Sequence, residues 1–211
     1  MPGETRSFWK QWAPHAQVAA QVTFKLCVKE REVGQTITEE YRKLQQELHK
    51  NPNYGVASLQ FASLVADLLK QSGAQSVSDY GAGKKNLLVG LNQLGVNPIY
   101  RPYDPAFPEY GSPQPADLVC CIDVLEHIEP ELIENVIDEL ARVTQNIGFL
   151  SIHMGPAAKT LSDGRNAHLI QKPTSWWLPK LCQHFDIMRL QSHRIMGNGF
   201  WVIVKRIDPL V

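Results

Sequence analysis

The sequence lacks a disulfide framework, a long apolar run and a net charge, and each absence narrows what the protein can do. Four cysteines (Cys27, Cys120, Cys121, Cys182) show no C-x-x-C spacing, and the adjacent pair sits in an apolar, strand-like run. That usage suits reduced core cysteines of a cytoplasmic protein rather than a secreted scaffold. No apolar stretch approaches the ~20 residues that a membrane-spanning helix requires. The N-terminal segment mixes Arg6, Trp9, Lys10 and Trp12 with polar positions and has no signal-peptide core. No membrane partner is expected. The 21 basic and 21 acidic side chains cancel, so no global field draws the chain toward nucleic acid or acidic lipid.

What is present is ordinary globular material: 211 residues, 44% apolar and 20% charged. That length suits one domain with a short extension and buries roughly 70% of the surface its unfolded form exposes. We divide it into an N-terminal arm with some helix over residues 1–54 and a main domain over 55–211. In the arm, Thr36-Ile37-Thr38-Glu39 has the capping-box form ahead of a helix from Tyr41 to His49. Phe8, Trp9, Trp12 and Phe24 suit either a lid or a docking surface.

From residue 61 the pattern becomes periodic. Phe61, Leu64, Val65, Leu68 and Leu69 fall on one helical stripe that Gly73 stops. Strands are expected at 76–80, 98–103, 116–122 and 147–152, with helices at 86–94 and after Pro130. A short helix over 173–185 and two strands (187–191, 200–204) joined through Gly197-Asn198-Gly199 close the chain. Strands alternating with helix-length segments predict a doubly wound α/β fold: a mostly parallel sheet with helices on both faces. The last two strands predict an antiparallel edge.

Asp79-Tyr80-Gly81-Ala82-Gly83 ends the first strand and opens a helix, the context of a nucleotide-binding turn. Asp104, 25 residues after Asp79, ends the second strand, where an acid can accept both hydroxyls of a ribose. A dehydrogenase turn would place a third glycine where Lys84, Lys85 and Asn86 stand, and the phosphate-loop Gly-Lys-Ser/Thr is absent. An acid ahead of the first glycine suits a cationic ligand rather than a pyrophosphate. A tight turn with an incidental acid is the plainer alternative.

The succession Asp79-Tyr80-Gly81-Ala82-Gly83, Tyr103-Asp104-Pro105-Ala106 and Asp117 through Ile128 resembles the class I S-adenosylmethionine-dependent methyltransferases over roughly residues 55–207. The resemblance implies a Rossmann-like sheet with an antiparallel hairpin edge and S-adenosylmethionine as cofactor. It implies that Asp79, Gly81 and Gly83 cradle the methionine moiety, that Asp104 holds the ribose, and that Ile122 and Asp123 line the methyl-donor site. Two departures stand out. Lys85 replaces a small residue of the family's turn. Only twelve residues, four of them proline, separate Asp104 from Asp117, too few and too proline-rich for a crossover helix and a strand. The family's third strand is therefore expected to be missing, with Phe107, Glu109 or Tyr110 standing in for its adenine-reading loop.

Asp123, Glu126 and His127 follow the most apolar strand. A helical turn there would put Asp123 and His127 on one face. Three roles fit His127: a general base for an acceptor hydroxyl, a ligand of a divalent cation with Asp123, Glu126 and His168, or a packing group. The spacing resembles the metal sites of small-RNA terminal 2′-O-methyltransferases and ubiquinone-pathway O-methyltransferases, which carry glutamate where Asp123 stands. Asp163 to Ile170 is read as a loop over the site, with Arg165, Asn166 and His168 near Trp176 and Trp177. Those indoles suit an acceptor wall or a helix anchor. His153 is a further candidate ligand; His15, His49, His184 and His193 belong to no constellation. The expected catalytic residues are His127, Glu126 and His168. The expected reaction is O-methylation of a small molecule, sugar or diol hydroxyl. RNA is the less favoured acceptor, since phosphate contacts dominate such binding and no basic stripe is present. A non-catalytic binding module is the alternative outside enzymes.

Overall fold

The structure is a computed structural model that describes residues 34–195 and 197–207. Cys27, His15, Phe8, Trp9, Trp12 and Phe24 lie outside the described residues. Among the described residues five α-helices, α1 (Glu39–His49), α2 (Ser58–Ser72), α3 (Asn86–Gln93), α4 (Ile133–Val143) and α5 (Thr174–Leu181), accompany six strands. The strands are β1 (Ser76–Tyr80), β2 (Ile99–Tyr103), β3 (Ala116–Ile122), β4 (Thr144–His153), β5 (Phe185–His193) and β6 (Gly199–Arg206).

They form one sheet in the order β2-β1-β3-β4-β6-β5. The first four strands are parallel, and β6 runs antiparallel to both β4 and β5. The sheet therefore has the predicted architecture. Strand β1 is buried along its whole length, as befits a parallel strand covered on both faces. Strand β2 is the edge, because only a loop with one 3-10 turn (Pro108–Tyr110) connects it to β3. The missing third strand is thus a property of the fold. An edge position tolerates Pro102, which has no N–H to donate.

The period of two along β3 sorts its side chains between two cores. Leu118, Cys120 and Ile122 meet Phe61, Val65 and Leu68 of α2 and Leu87 and Leu91 of α3. Val119 and Cys121 meet Val136, Ile137 and Leu140 of α4 and Trp177 and Leu181 of α5. Cys120 and Cys121 are buried as expected, whereas Cys182 is exposed.

Helix α1 lies in one compact unit with the sheet, and it departs from the sequence reading at its start. Its cap is Thr38 rather than Thr36. The Thr38 hydroxyl accepts a hydrogen bond from Tyr41 N at 3.2 Å, and its own N–H and Oγ1–H donate to the two Glu129 oxygens at 2.8 and 2.7 Å. A capping box normally draws that carboxylate from within the helix. Here it arrives from 91 residues away, so local spacing misplaces the cap by two positions.

Candidate active site

The C-terminal ends of β1, β2 and β3 open onto one cavity of about 270 Å³. Asp79, Gly81, Gly83, Asp104, Ile122, Asp123, His127 and His168 all line it. Ligand sites of open α/β sheets lie at this end of the strands.

The glycine turn is built by its neighbours. Gly81 N and Ala82 N both donate to Tyr103 O, at 2.8 and 2.9 Å, which ties the turn to the end of β2. Gly81 has φ +81°, and a Cβ there would stand 2.3 Å from Val124 Cγ2, so no other residue fits. Asp104 is oriented by two backbone donors: Gly83 N to Oδ2 at 2.9 Å and Ala106 N to Oδ1 at 2.8 Å. Burial nevertheless pushes its carboxyl up. Asp79 is 3% exposed and accepts a short hydrogen bond from the Tyr100 hydroxyl. Burial raises its pKa to about 7 against the pull of that hydrogen bond. Lys85 does not fill the cleft. It takes the left-handed conformation, φ 61°, and its Nζ lies 4.4 Å from the centroid of the Tyr110 ring.

A second cluster gathers where β3 and β4 end. The chain does not turn helical at Asp123. Asp123 has φ 52°, and a single 3-10 turn over Leu125–His127 follows. Asp123 Oδ1 accepts from Ser151 Oγ at 2.6 Å. The predicted shared face of Asp123 and His127 is therefore replaced by a different grouping. Glu126, His127 and His168 each bring one potential ligand atom to within 4.8 Å of the others, and Asp123 stands outside that group.

Glu126 is completely buried. Its Oε1 accepts His153 N at 2.8 Å, while Oε2 is sealed from solvent without a partner. Burial, with Asp123 adding, holds its carboxyl far above the ordinary range. His127 Nδ1 lies 2.8 Å from Ala167 O, and His168 Nδ1 lies 2.7 Å from Gly155 O. A carbonyl accepts only, so each Nδ1 carries the proton and each neutral ring leaves Nε2 as a lone pair. The rings meet edge-on at 4.6 Å. Burial, then the neighbouring imidazole, lowers His127 to about 3, and burial likewise depresses His168. Neutral imidazoles beside an unpartnered carboxylate oxygen form the donor set that a borderline divalent cation takes.

Searches with the sequence return no matching protein-family model and no matching curated protein. Solved structures do match. Magnesium protoporphyrin IX methyltransferase from Synechocystis PCC 6803, with bound S-adenosylmethionine, superposes with a TM-score of 0.56 at 16% identity, over 82% of this chain and 100% of that one. The 1,6-didemethyltoxoflavin-N1-methyltransferase of Burkholderia thailandensis gives 0.53 at 14%, over 84% and 94%. Mitomycin 7-O-methyltransferase gives 0.54 at 16%, over 78% and 60%.

The chain has the class I S-adenosylmethionine-dependent methyltransferase fold. At such identities the likeness is one of fold, and this methyltransferase-fold protein differs from the sequence reading in several side chains. Trp177 is fully buried in the α4–α5 core and donates to Lys172 O at 3.1 Å. Trp176 packs against the same core under the Lys180 ammonium. Neither indole lines the cavity, so the anchor alternative describes this pair. Arg165 pairs with Asp163 at 2.7 Å. Asn166 Oδ1 accepts from Ala157 N and His168 N at 2.9 and 3.0 Å, shaping the loop that presents His168. Phe107 and Tyr110 stack on each other 5.3 Å apart, outside the cavity lining.

Residues of α1 and the loop after it were not foreseen as site residues. Tyr41, Gln45, His49 and Tyr54 all line the cavity. Tyr41 OH donates to His127 O at 2.6 Å, and Tyr54 OH stands 3.3 Å from His127 Nδ1. Lys84 pins the loop by donating to Asn51 O and to Tyr54 O, and Asn86 Nδ2 donates to Gly55 O at 2.7 Å. These polar residues stand where a dehydrogenase turn would have its last glycine. Their departure from that pattern was the one signal in the sequence that the turn carries something across it.

Proposed function

We propose that this protein is an S-adenosylmethionine-dependent methyltransferase acting on a hydroxyl oxygen of a small molecule, with a divalent cation held by Glu126, His127 and His168. The observation that carries the reading is the meeting of Asp79 and Asp104, from the ends of adjacent strands, in one cleft with His127 and His168. The neighbours with this fold include an N- and an O-methyltransferase by name, so oxygen is chosen on the donor set rather than on likeness.

The donor supplies a methyl group already activated on a sulfonium, and a cation, when bound, would lower the pKa of the acceptor hydroxyl. What remains for the chain is placement, which is worth roughly 7–11 kcal/mol. Asp79 offers a buried negative charge to the donor's positive groups. Asp104, held by Gly83 N and Ala106 N, offers its remaining lone pairs to the ribose hydroxyls. Gly81 and Gly83 let the backbone approach the ligand closely, and Ile122 and Asp123 form the wall next to the methyl group. Glu126 is aimed by the His153 N–H, and the two imidazoles are aimed by backbone carbonyls. A base role for His127 is disfavoured because an imidazole held at about 3 retains a captured proton poorly.

Calorimetry with S-adenosylmethionine and its demethylated product, followed by transfer of labelled methyl to a panel of hydroxyl acceptors, tests the reading. Micromolar to low-millimolar binding of both is expected, as is activity lost with a chelator and restored by Mn²⁺ or Mg²⁺. Failure to bind either ligand at millimolar concentration removes the donor. Activity unchanged by chelator and by His168→Ala removes the cation.

A further inference from the structure

His49, the last residue of α1, meets the glycine turn across the cavity. A Cβ on Gly83 would stand 3.0 Å from His49 Cε1 and 4.0 Å from Asp104 Oδ2, so the imidazole and the carboxylate flank Gly83, and all three residues line the cavity. Tyr54 and Phe107 hold the ring edge-on, at 4.8 and 4.9 Å between centroids. Among the described residues no hydrogen bond reaches either ring nitrogen, and Nδ1 is sealed from solvent without a partner. A neutral imidazole has one donor and one acceptor; with Nδ1 closed off, Nε2 is the nitrogen left for a molecule bound in the cavity that His49 lines, and it calls for a partner.

Strand β2 is the sheet edge, so no third strand walls off the end of the cavity beside Asp104, and α1 covers it instead. Ionised Asp104 only accepts hydrogen bonds. A ribose hydroxyl that donates to it still has lone pairs to fill, and an imidazole N–H opposite fills one. We propose that His49 is a specificity-determining residue that hydrogen-bonds a ribose hydroxyl of the donor, on the side opposite Asp104. This rests on the donor reading above.

The test is a chemical double-mutant cycle read by calorimetry. S-adenosylhomocysteine and its 2′-deoxy and 3′-deoxy counterparts are titrated into wild type, His49→Phe and His49→Gln. Phenylalanine keeps the ring and loses the nitrogens; glutamine keeps an N–H donor. His49→Phe is expected to weaken the parent ligand by about tenfold, the scale of one net hydrogen bond. It should leave the affinity for one of the deoxy ligands at the wild-type value, and His49→Gln should recover part of the loss. An equal loss for all three ligands, or no loss, overturns the inference, since the ring would then only pack. Wild type that binds none of them overturns the donor reading as well. Should His49→Phe not fold, His49→Leu, which also lacks any ring nitrogen, carries the same comparison against wild type.

Discussion

Lowering the pH from about 8 to about 5 should weaken S-adenosylmethionine binding about a hundredfold, because Asp79 must be ionised to face a cation. Asp79 is 3% exposed, and burial puts its carboxyl at about 7. A ligand that binds only the ionised form sees an apparent Kd that rises by one decade for each pH unit below that value, so about two decades at pH 5, or roughly 2.7 kcal/mol. Asp104, also raised, adds to the slope at the acidic end. His49 at about 4 and His127 at about 3 stay neutral throughout and contribute nothing to it. Without ligand the sign is opposite. A folded pKa raised above the unfolded value favours folding at low pH, and this contribution fades as the pH rises through about 7. Added ligand should therefore stabilise the protein most at neutral and alkaline pH. Calorimetry across the range, in buffers of different ionisation enthalpy, should detect about one proton released near pH 6. Asp79→Asn should bind weakly and keep only the acidic-end dependence that Asp104 contributes. A flat profile in wild type, or Asp79→Asn binding as tightly as wild type, refutes the electrostatic reasoning.

Gly81→Ala combines φ +81° with a Cβ 2.3 Å from Val124 Cγ2; a loss of at least about 2 kcal/mol in urea unfolding is expected. Val124→Ala in the same chain should recover the clash and not the backbone strain. Trp177→Ala should cost about 3–5 kcal/mol, whereas Trp176→Ala should cost under about 1 and leave methyl transfer unchanged. A raised acceptor KM in Trp176→Ala would restore the indole wall that the geometry removes. Glu129→Ala strips the Thr38 cap of its carboxylate and should destabilise the protein by about 1 kcal/mol by denaturant titration, with His127 losing the support of α1. No helix among the described residues is long and apolar enough to cross a membrane.

Much of the fold was legible because its signals are local. The stripe Phe61, Val65, Leu68 and Leu69, the left-handed stop at Gly73 and the run of apolar residues in β3 follow from periods of 3.6 and 2. The prolines between Asp104 and Asp117 announced the lost strand by the same kind of argument, since a short proline-rich segment cannot form a crossover helix. Asp79, Gly81, Gly83 and Asp104 were legible as a set because a glycine turn between parallel strands fixes where strand ends lie.

Contacts between distant parts of the chain were not legible. Glu129 caps α1, Tyr41 OH binds His127 O, and His49 faces Gly83; no spacing rule joins positions 34 to 91 residues apart. Asp123 was misjudged for a related reason. The helical geometry assumed for 123–127 gave way to a left-handed Asp123, whose amide donates to Ser151 O at 2.9 Å and whose carboxylate takes the Ser151 hydroxyl. Residue order and periodicity thus determined the sheet, its missing strand and the acids at its mouth. Tertiary packing alone decided which imidazoles face Glu126 and which helix covers the cleft, because these depend on side chains that become neighbours only after the chain has folded.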